Sequence, residues 1–287
     1  MNKQKPRNGI INFKNYICAP MIKNLLLFSL LIIVISSCSE YQEVLKGNDL
    51  GKKYEVAKTY YSKQQYYKAL PLFEELVPVY KGSKEGEEMY YYLPFCYYGT
   101  GEYLVAAYHF KNYFATYPTS VHAEECLFMN AKCYMQMSPK YELSQEYTEK
   151  AINEFQLFTN TFPTSALVSQ ANDDIDQMRA KLEVKAFAGA KLYYQMTNYK
   201  ASAVALANLI RSYPDLPNIA EACFLIVKSD YLYALNSIET KQKDRFEKTI
   251  AIYNQYKDKF AGTRYEKEAK SLFENSTSTL NKLTIHE

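Results

Sequence analysis

Residues 110–120 read FKNYFATYPTS and residues 155–165 read FQLFTNTFPTS. In both, apolar residues at helical spacing run into an aromatic-proline pair. Proline has no amide to donate and its ring clashes with the preceding turn, so a helix stops there. A third such ending stands at Tyr213-Pro214. Counting back from each proline meets the same residue types at the same distances. Twelve positions back lie Ala106, Ala151 and Ser202; eight back lie Phe110, Phe155 and Leu206. Tyr103 and Tyr199 stand fifteen back, and Tyr97 and Tyr193 twenty-one back, from the first and third prolines. An earlier stretch carries the same set as Tyr60, Tyr66, Ala69 and Phe73, with Lys81 where proline would sit. A small residue lets two helices approach, and large rings fill the holes around it. Self-similarity at this period predicts a repeat array rather than one compact core.

The pattern resembles the tetratricopeptide repeat, in which two antiparallel helices form each unit and proline closes the second. The resemblance implies an all-α, superhelical solenoid. Five units fall at about residues 50–83, 87–120, 124–165, 183–216 and 221–263, with a capping helix from about Arg264 to Leu283. The Ala123-Glu124-Glu125-Cys126 stretch, with Lys132-Cys133-Tyr134 behind it, returns as Ala220-Glu221-Ala222-Cys223 with Lys228 and Tyr231. Insertions are expected within the third unit around Ser138-Pro139-Lys140 and within the fifth at Thr240 to Asp244. Ala166 to Phe187 contains neither Gly nor Pro and reads as one extended helix.

In that family the first helices of successive units line a concave groove. Its inward positions map onto Tyr54, Lys58 and Tyr61; Tyr91, Phe95 and Tyr98; Phe128, Lys132 and Met135; and Phe187, Lys191 and Tyr194. The resemblance thus implies a peptide groove of rings with sparse lysines. Tyrosine stripes at helical spacing also serve as ordinary core.

Composition agrees with helices. Only 9 Gly and 10 Pro occur in 287 residues, too few for the turns of a Gly-rich sandwich or barrel, while 29 Tyr and 15 Phe accompany no Trp. Residues 1–37 hold five basic residues, no acid, and an apolar run LLLFSLLIIVI over 25–35. That run is too short to span a bilayer, which takes about 20 residues, and has the layout of a secretory signal. It closes on Ile35-Ser36-Ser37-Cys38, which resembles the bacterial lipobox and implies diacylglycerol on the Cys38 sulfur; Met21 also begins a complete signal. Without residues 1–37, 29 basic residues face 31 acidic ones, a net of −2 against +3 for the whole chain. No basic character remains to argue for nucleic acid. The expected organisation is a signal over 1–37, a lipidated tether over 38–49, N-terminal repeats over 50–165 and C-terminal repeats with their cap over 166–283.

Cys96, Cys126, Cys133 and Cys223 remain once the signal and the lipidated residue are set aside. Cys126 and Cys133 on one helix stand about 10 Å apart by helical rise, beyond a disulfide's reach, so buried thiols are expected. No CxxC pair occurs, and no GxSxG, HExxH or phosphate-binding loop is present. His122 beside Glu124 and Glu125 fits a solvated turn better than a metal site. Gly99-Thr100-Gly101 fits the turn between two helices. No enzyme activity, cofactor or metal is expected beyond the covalent lipid.

A lipid anchor at Cys38, helical repeats that follow at once, a lengthened third unit and the two phrases ending in PTS together resemble the BamD family of the outer membrane β-barrel assembly machinery. The resemblance implies a lipid-anchored outer membrane protein on the periplasmic face. Its partners would be the POTRA domain of a BamA-like insertase, bound mainly by the C-terminal units, and unfolded barrel precursors received by the N-terminal units. Other readings compatible with the residues are a cell-envelope adaptor with different protein partners and a surface nutrient-binding lipoprotein. A glycan site would pair its rings with Asp, Asn and Arg, whereas this groove pairs them with Lys.

Overall fold

The computed structural model describes residues 40–285. The signal segment and Cys38 lie outside the described residues. Residues 40–46 form α1. It is followed by α2 (Leu50–Ser62), α3 (Tyr66–Val79), α4 (Lys84–Thr100) and α5 (Tyr103–Thr116). Then come α6 (Ala123–Met137), α7 (Glu146–Thr161), α8 (Val168–Gln195), α9 (Tyr199–Ser212), α10 (Ile219–Leu235), α11 (Glu239–Tyr256), a 3-10 turn at Lys257–Lys259, and α12 (Glu266–Ile285). Over the described residues the fold is all-α, a tetratricopeptide-type array of helix hairpins. None of the described helices is long and apolar enough to cross a membrane.

Two compact units divide after Pro118. In the first, α2 packs on α3, α3 on α4 and α4 on α5, and α2 also reaches α4. In the second, each helix from α6 to α12 packs on its successor, while α8 reaches α10 and α10 reaches α12. Contact with the next helix but one is how stacked hairpins share a core. The residues found by counting back from proline sit at the centre of that packing: Ala69, Ala106, Ala151 and Ser202 are fully buried, as are Phe73, Phe110, Phe155 and Leu206. The Ser202 hydroxyl donates to the Ala190 carbonyl at 3.2 Å, which shows how closely α9 approaches α8.

The shared phrases have a shared geometry. The residues before the three prolines, Tyr117, Phe162 and Tyr213, have φ, ψ of −126°, 60°; −124°, 63°; and −133°, 77°. Each amide donates four residues back, at 2.8, 2.9 and 2.8 Å, closing its helix. The serine of each PTS then starts the next helix: Ser120 Oγ accepts from the His122 amide at 3.3 Å and Ser165 Oγ from the Leu167 amide at 3.0 Å. Gly101 ends α4 at φ 87°, where a side chain would be strained. At Gly99 a Cβ would stand 2.0 Å from the Tyr66 ring, so that ring packs directly on backbone.

Three expectations are corrected. The segment 38–49 is not a free tether over its described part, because α1 is docked: Val44 is buried in the first core, Tyr41 and Leu45 pack against it, and the Tyr41 hydroxyl donates to the Lys68 carbonyl at 3.1 Å. The division falls after residue 118 rather than 165, because the 28-residue α8 buries Ala171, Asp174, Ile175 and Met178 at helical spacing and packs on α7, tying the third hairpin to the later ones. Thr240 to Asp244 is not an insertion but the first turn and a half of α11, and the connection from α10 is only residues 236–238. The insertion around Ser138-Pro139-Lys140 is present and is clamped to α8. Lys185 donates to the carbonyls of Tyr141 and Leu143 at 3.1 and 2.8 Å, and Lys181 to Ser138 Oγ at 2.7 Å.

Candidate peptide groove

In the first unit the mapped rings form a half-buried lattice between helices. Tyr54 of α2 meets Phe73 of α3 edge-on at 6.5 Å, and Tyr61 touches Tyr66, Tyr92 and Phe95 at 5.7, 4.7 and 6.4 Å. Tyr91 of α4 lies 5.0 Å from Phe95, which in turn meets Phe110 of α5 at 4.8 Å. Tyr98 rests against Tyr103 at 5.2 Å, across the turn that joins α4 to α5. The Lys58 ammonium sits 4.3 Å over the Tyr54 ring and pairs with Glu55 at 2.8 Å. The Glu55 bond raises the Lys58 pKa above the ordinary lysine value, with Glu88 of α4 adding to the effect. Burial, then the neighbouring Glu88, pushes the Tyr54 phenol well above its usual range.

In the second unit one device recurs. Phe128 is buried against Phe155 and Phe158 at 5.7 and 5.3 Å, and Lys132, one turn on, lies 6.0 Å from its ring. Lys191 lies 5.8 Å from Phe187, and Lys228 lies 5.5 Å from Phe224. Each ammonium then reaches an acid on the first helix of the following hairpin or on the cap. Lys132 pairs with Asp174 of α8 at 3.1 Å, Lys191 with Glu221 of α10 at 2.7 Å, and Lys228 with Glu268 of α12 at 2.7 Å. The spacing aromatic, three residues, lysine puts ring and ammonium on one helical face. The acid then links that face to the next repeat.

These pairs differ in solvation. The Lys132 and Asp174 side chains are 18% and 7% exposed, so that pair is nearly dry. Lys191 is 42% exposed and open at the surface, as is Glu268 at 53%. The Lys191 hydrogen bond holds the Glu221 carboxyl below its usual range, with Arg264 a further cation 3.8 Å away. Met135 joins the face as a soft neighbour, its sulfur 3.7 Å from the Lys132 ammonium. Tyr194 rests against Tyr199 at 5.8 Å.

The structure therefore places every mapped residue on a first helix. It brings the rings together with second-helix rings and gives each mapped lysine an acidic partner. The mapping omitted Lys228, although the spacing of Phe224 and Lys228 repeats that of Phe128 with Lys132 and Phe187 with Lys191. It also omitted Asp174, Glu221 and Glu268, which lie 30 to 42 residues from their lysines and meet them only once the hairpins stack. The four described cysteines are free and buried, and burial raises Cys96 and Cys133 to about 12 and Cys223 to about 11, far from a reactive thiolate.

A family model described as "Outer membrane lipoprotein", YfiO, matches residues 48–246, from just before α2 into α11. One solved structure with similarity is the TPR2AB-domain:pHSP90-complex of yeast Sti1, 12% identical, with a TM-score of 0.36, covering 79% of this chain and 98% of that one. No curated protein matches.

Proposed function

This chain belongs to the YfiO family of outer membrane lipoproteins, and from that premise we propose that it is a scaffold of the β-barrel assembly machinery, anchored through lipid on Cys38. On this reading it acts at the periplasmic face, binds the POTRA domain of a BamA-like insertase and receives unfolded barrel precursors. It works by holding chains rather than by transforming them. The observation that carries the reading is the family match across 48–246, which spans four of the five hairpins in full.

The first-helix face supports the precursor role in a restricted form. Rings suit an aromatic C-terminal residue of a precursor, and an exposed ammonium suits its terminal carboxylate. Lys132 does not serve, since its charge is sealed against Asp174. Lys58 and Lys191, 34% and 42% exposed, remain within reach of a ligand. A carboxylate has to exchange with Glu55 or Glu221 there, so each contact contributes at most about 1 kcal/mol and weakens with salt. Binding of a C-terminal barrel peptide is expected to fall in Lys58→Glu and in Lys191→Glu, and on amidation of the peptide. Titration by fluorescence anisotropy in low and high salt checks this, and equal affinity throughout removes the groove from the proposal while leaving the scaffold role.

A further inference from the structure

Where the chain enters the described fold, three rings surround one ammonium. Lys68 of α3 lies 5.9 Å from the Tyr41 ring of α1, 5.0 Å from Tyr60 of α2 and 5.8 Å from Tyr67 of α3. Tyr41 and Tyr60 meet edge-on at 5.4 Å, and the Tyr41 hydroxyl donates to the Lys68 carbonyl at 3.1 Å. This end of α1 is thus tied to both helices of the first hairpin. Tyr67 is 65% exposed, a large ring left to solvent beside the cluster. A cleft of about 370 Å³ opens alongside, between Tyr41, Val44, Val56 and Tyr60, with Lys52 and Glu43 at its polar side. Those two charges offset one another at 3.7 Å.

Chain length decides what this cluster faces. Cys38 precedes Tyr41 by three residues, at most about 11 Å of extended chain. With acyl chains on Cys38 sunk in the hydrocarbon, its backbone lies at the headgroups, a layer about 5–7 Å thick on each side of the core. The cluster then has no room to stand away from the membrane. Its chemistry suits that level: tyrosines concentrate at bilayer interfaces, with the ring toward the acyl boundary and the hydroxyl toward water, and a lysine beside them reaches lipid phosphate. With Lys52 and Glu43 cancelling and Glu40 of the cleft set against Lys68 of the cluster, these charges leave no net sign and the surface matches zwitterionic rather than strongly anionic lipid.

We propose that the Tyr41, Tyr60, Tyr67 and Lys68 cluster is a bilayer-interface contact that seats the first unit on the lipid surface and fixes which way it faces. The inference rests on the anchor at Cys38, and its test separates the two. The chain has no Trp, so Tyr67→Trp supplies a single tryptophan, excited apart from the tyrosines, at the cluster, and Tyr108→Trp, at a 62% exposed site on α5, a single tryptophan elsewhere on the same unit. Each full-length lipidated variant is reconstituted into phosphatidylcholine vesicles with and without a lipid carrying a nitroxide at its headgroup. The expected result is at least about a twofold loss of Tyr67→Trp emission, with a blue shift, and almost none for Tyr108→Trp. Variants that float with vesicles while Tyr67→Trp stays unquenched overturn the contact and leave the anchor standing. Equal quenching of both overturns the fixed facing. Failure to float overturns the anchor and the inference together.

Discussion

Single residues carry this fold in two ways that differ in how visible they are. The small residue and the ring counted back from proline are local to one hairpin, and Ala106 with Phe110, or Ala151 with Phe155, are fully buried where the count places them. The charges are another matter. Lys132 reads as a groove cation because its own helix sets Phe128, Met129, Met135 and Gln136 around it and no acid, and Asp174, which neutralises it, is 42 residues away. Solvation ranks the resulting pairs. Removing one partner of a nearly dry pair leaves a buried charge, so Asp174→Ala is expected to cost about 3 kcal/mol. Removing one partner of a surface pair costs at most about 1 kcal/mol, which is the expectation for Glu268→Ala. Urea denaturation of the three proteins checks the order, and equal losses would mean that Lys132 finds water in the folded state.

At the level of helices and turns, the PTS phrases announce both a helix end and the next start, because proline stops one helix and serine accepts an amide of the following turn. Polar helices are harder to see. The run from Thr240 to Asp244 lacks apolar spacing and so resembles a loop, yet Lys and Gln are good helix formers, Thr240, Lys241 and Asp244 face solvent, and Gln242 donates back to the Ser237 carbonyl at 3.0 Å. The first unit also holds a packing feature with a pH consequence. His109 of α5 stacks on Tyr97 at 5.3 Å and its Nδ1 lies 3.3 Å from the Tyr90 hydroxyl, with Glu74 of α3 bonded to the Tyr97 hydroxyl. Burial lowers the His109 pKa, and Glu74 opposes this only in part. The unfolded chain therefore binds the proton more readily than the folded one. His109 stabilises most above an unfolded value of about 6.5, and that contribution is lost as pH falls below it. Denaturation at pH 7.5 and pH 5 should show this loss in the wild type and a smaller one in His109→Gln; identical losses would place the proton elsewhere.

For the molecule as a whole, the sequence makes the repeat array legible because each hairpin repeats its own local signals. It hides where the array divides, since the break after Pro118 falls at one of three like aromatic-proline endings and nothing local distinguishes it from those at Pro163 and Pro214. On the proposed reading membrane attachment comes from lipid on Cys38 rather than from charge, the net beyond residue 37 being −2. Cys38→Ala is accordingly expected to leave a folded protein, by circular dichroism, that no longer sediments with outer membranes; persistent sedimentation would reveal a second means of attachment. The central claim is the partnership with an insertase. Its most direct measurement is recovery of the lipidated protein, tagged after α12, from detergent-solubilised membranes, with mass spectrometry of the proteins that accompany it. Recovery of a β-barrel insertase bearing POTRA domains, in near-equal amount, is the predicted result, whereas recovery of peptidoglycan or secretion components with no such insertase would contradict it.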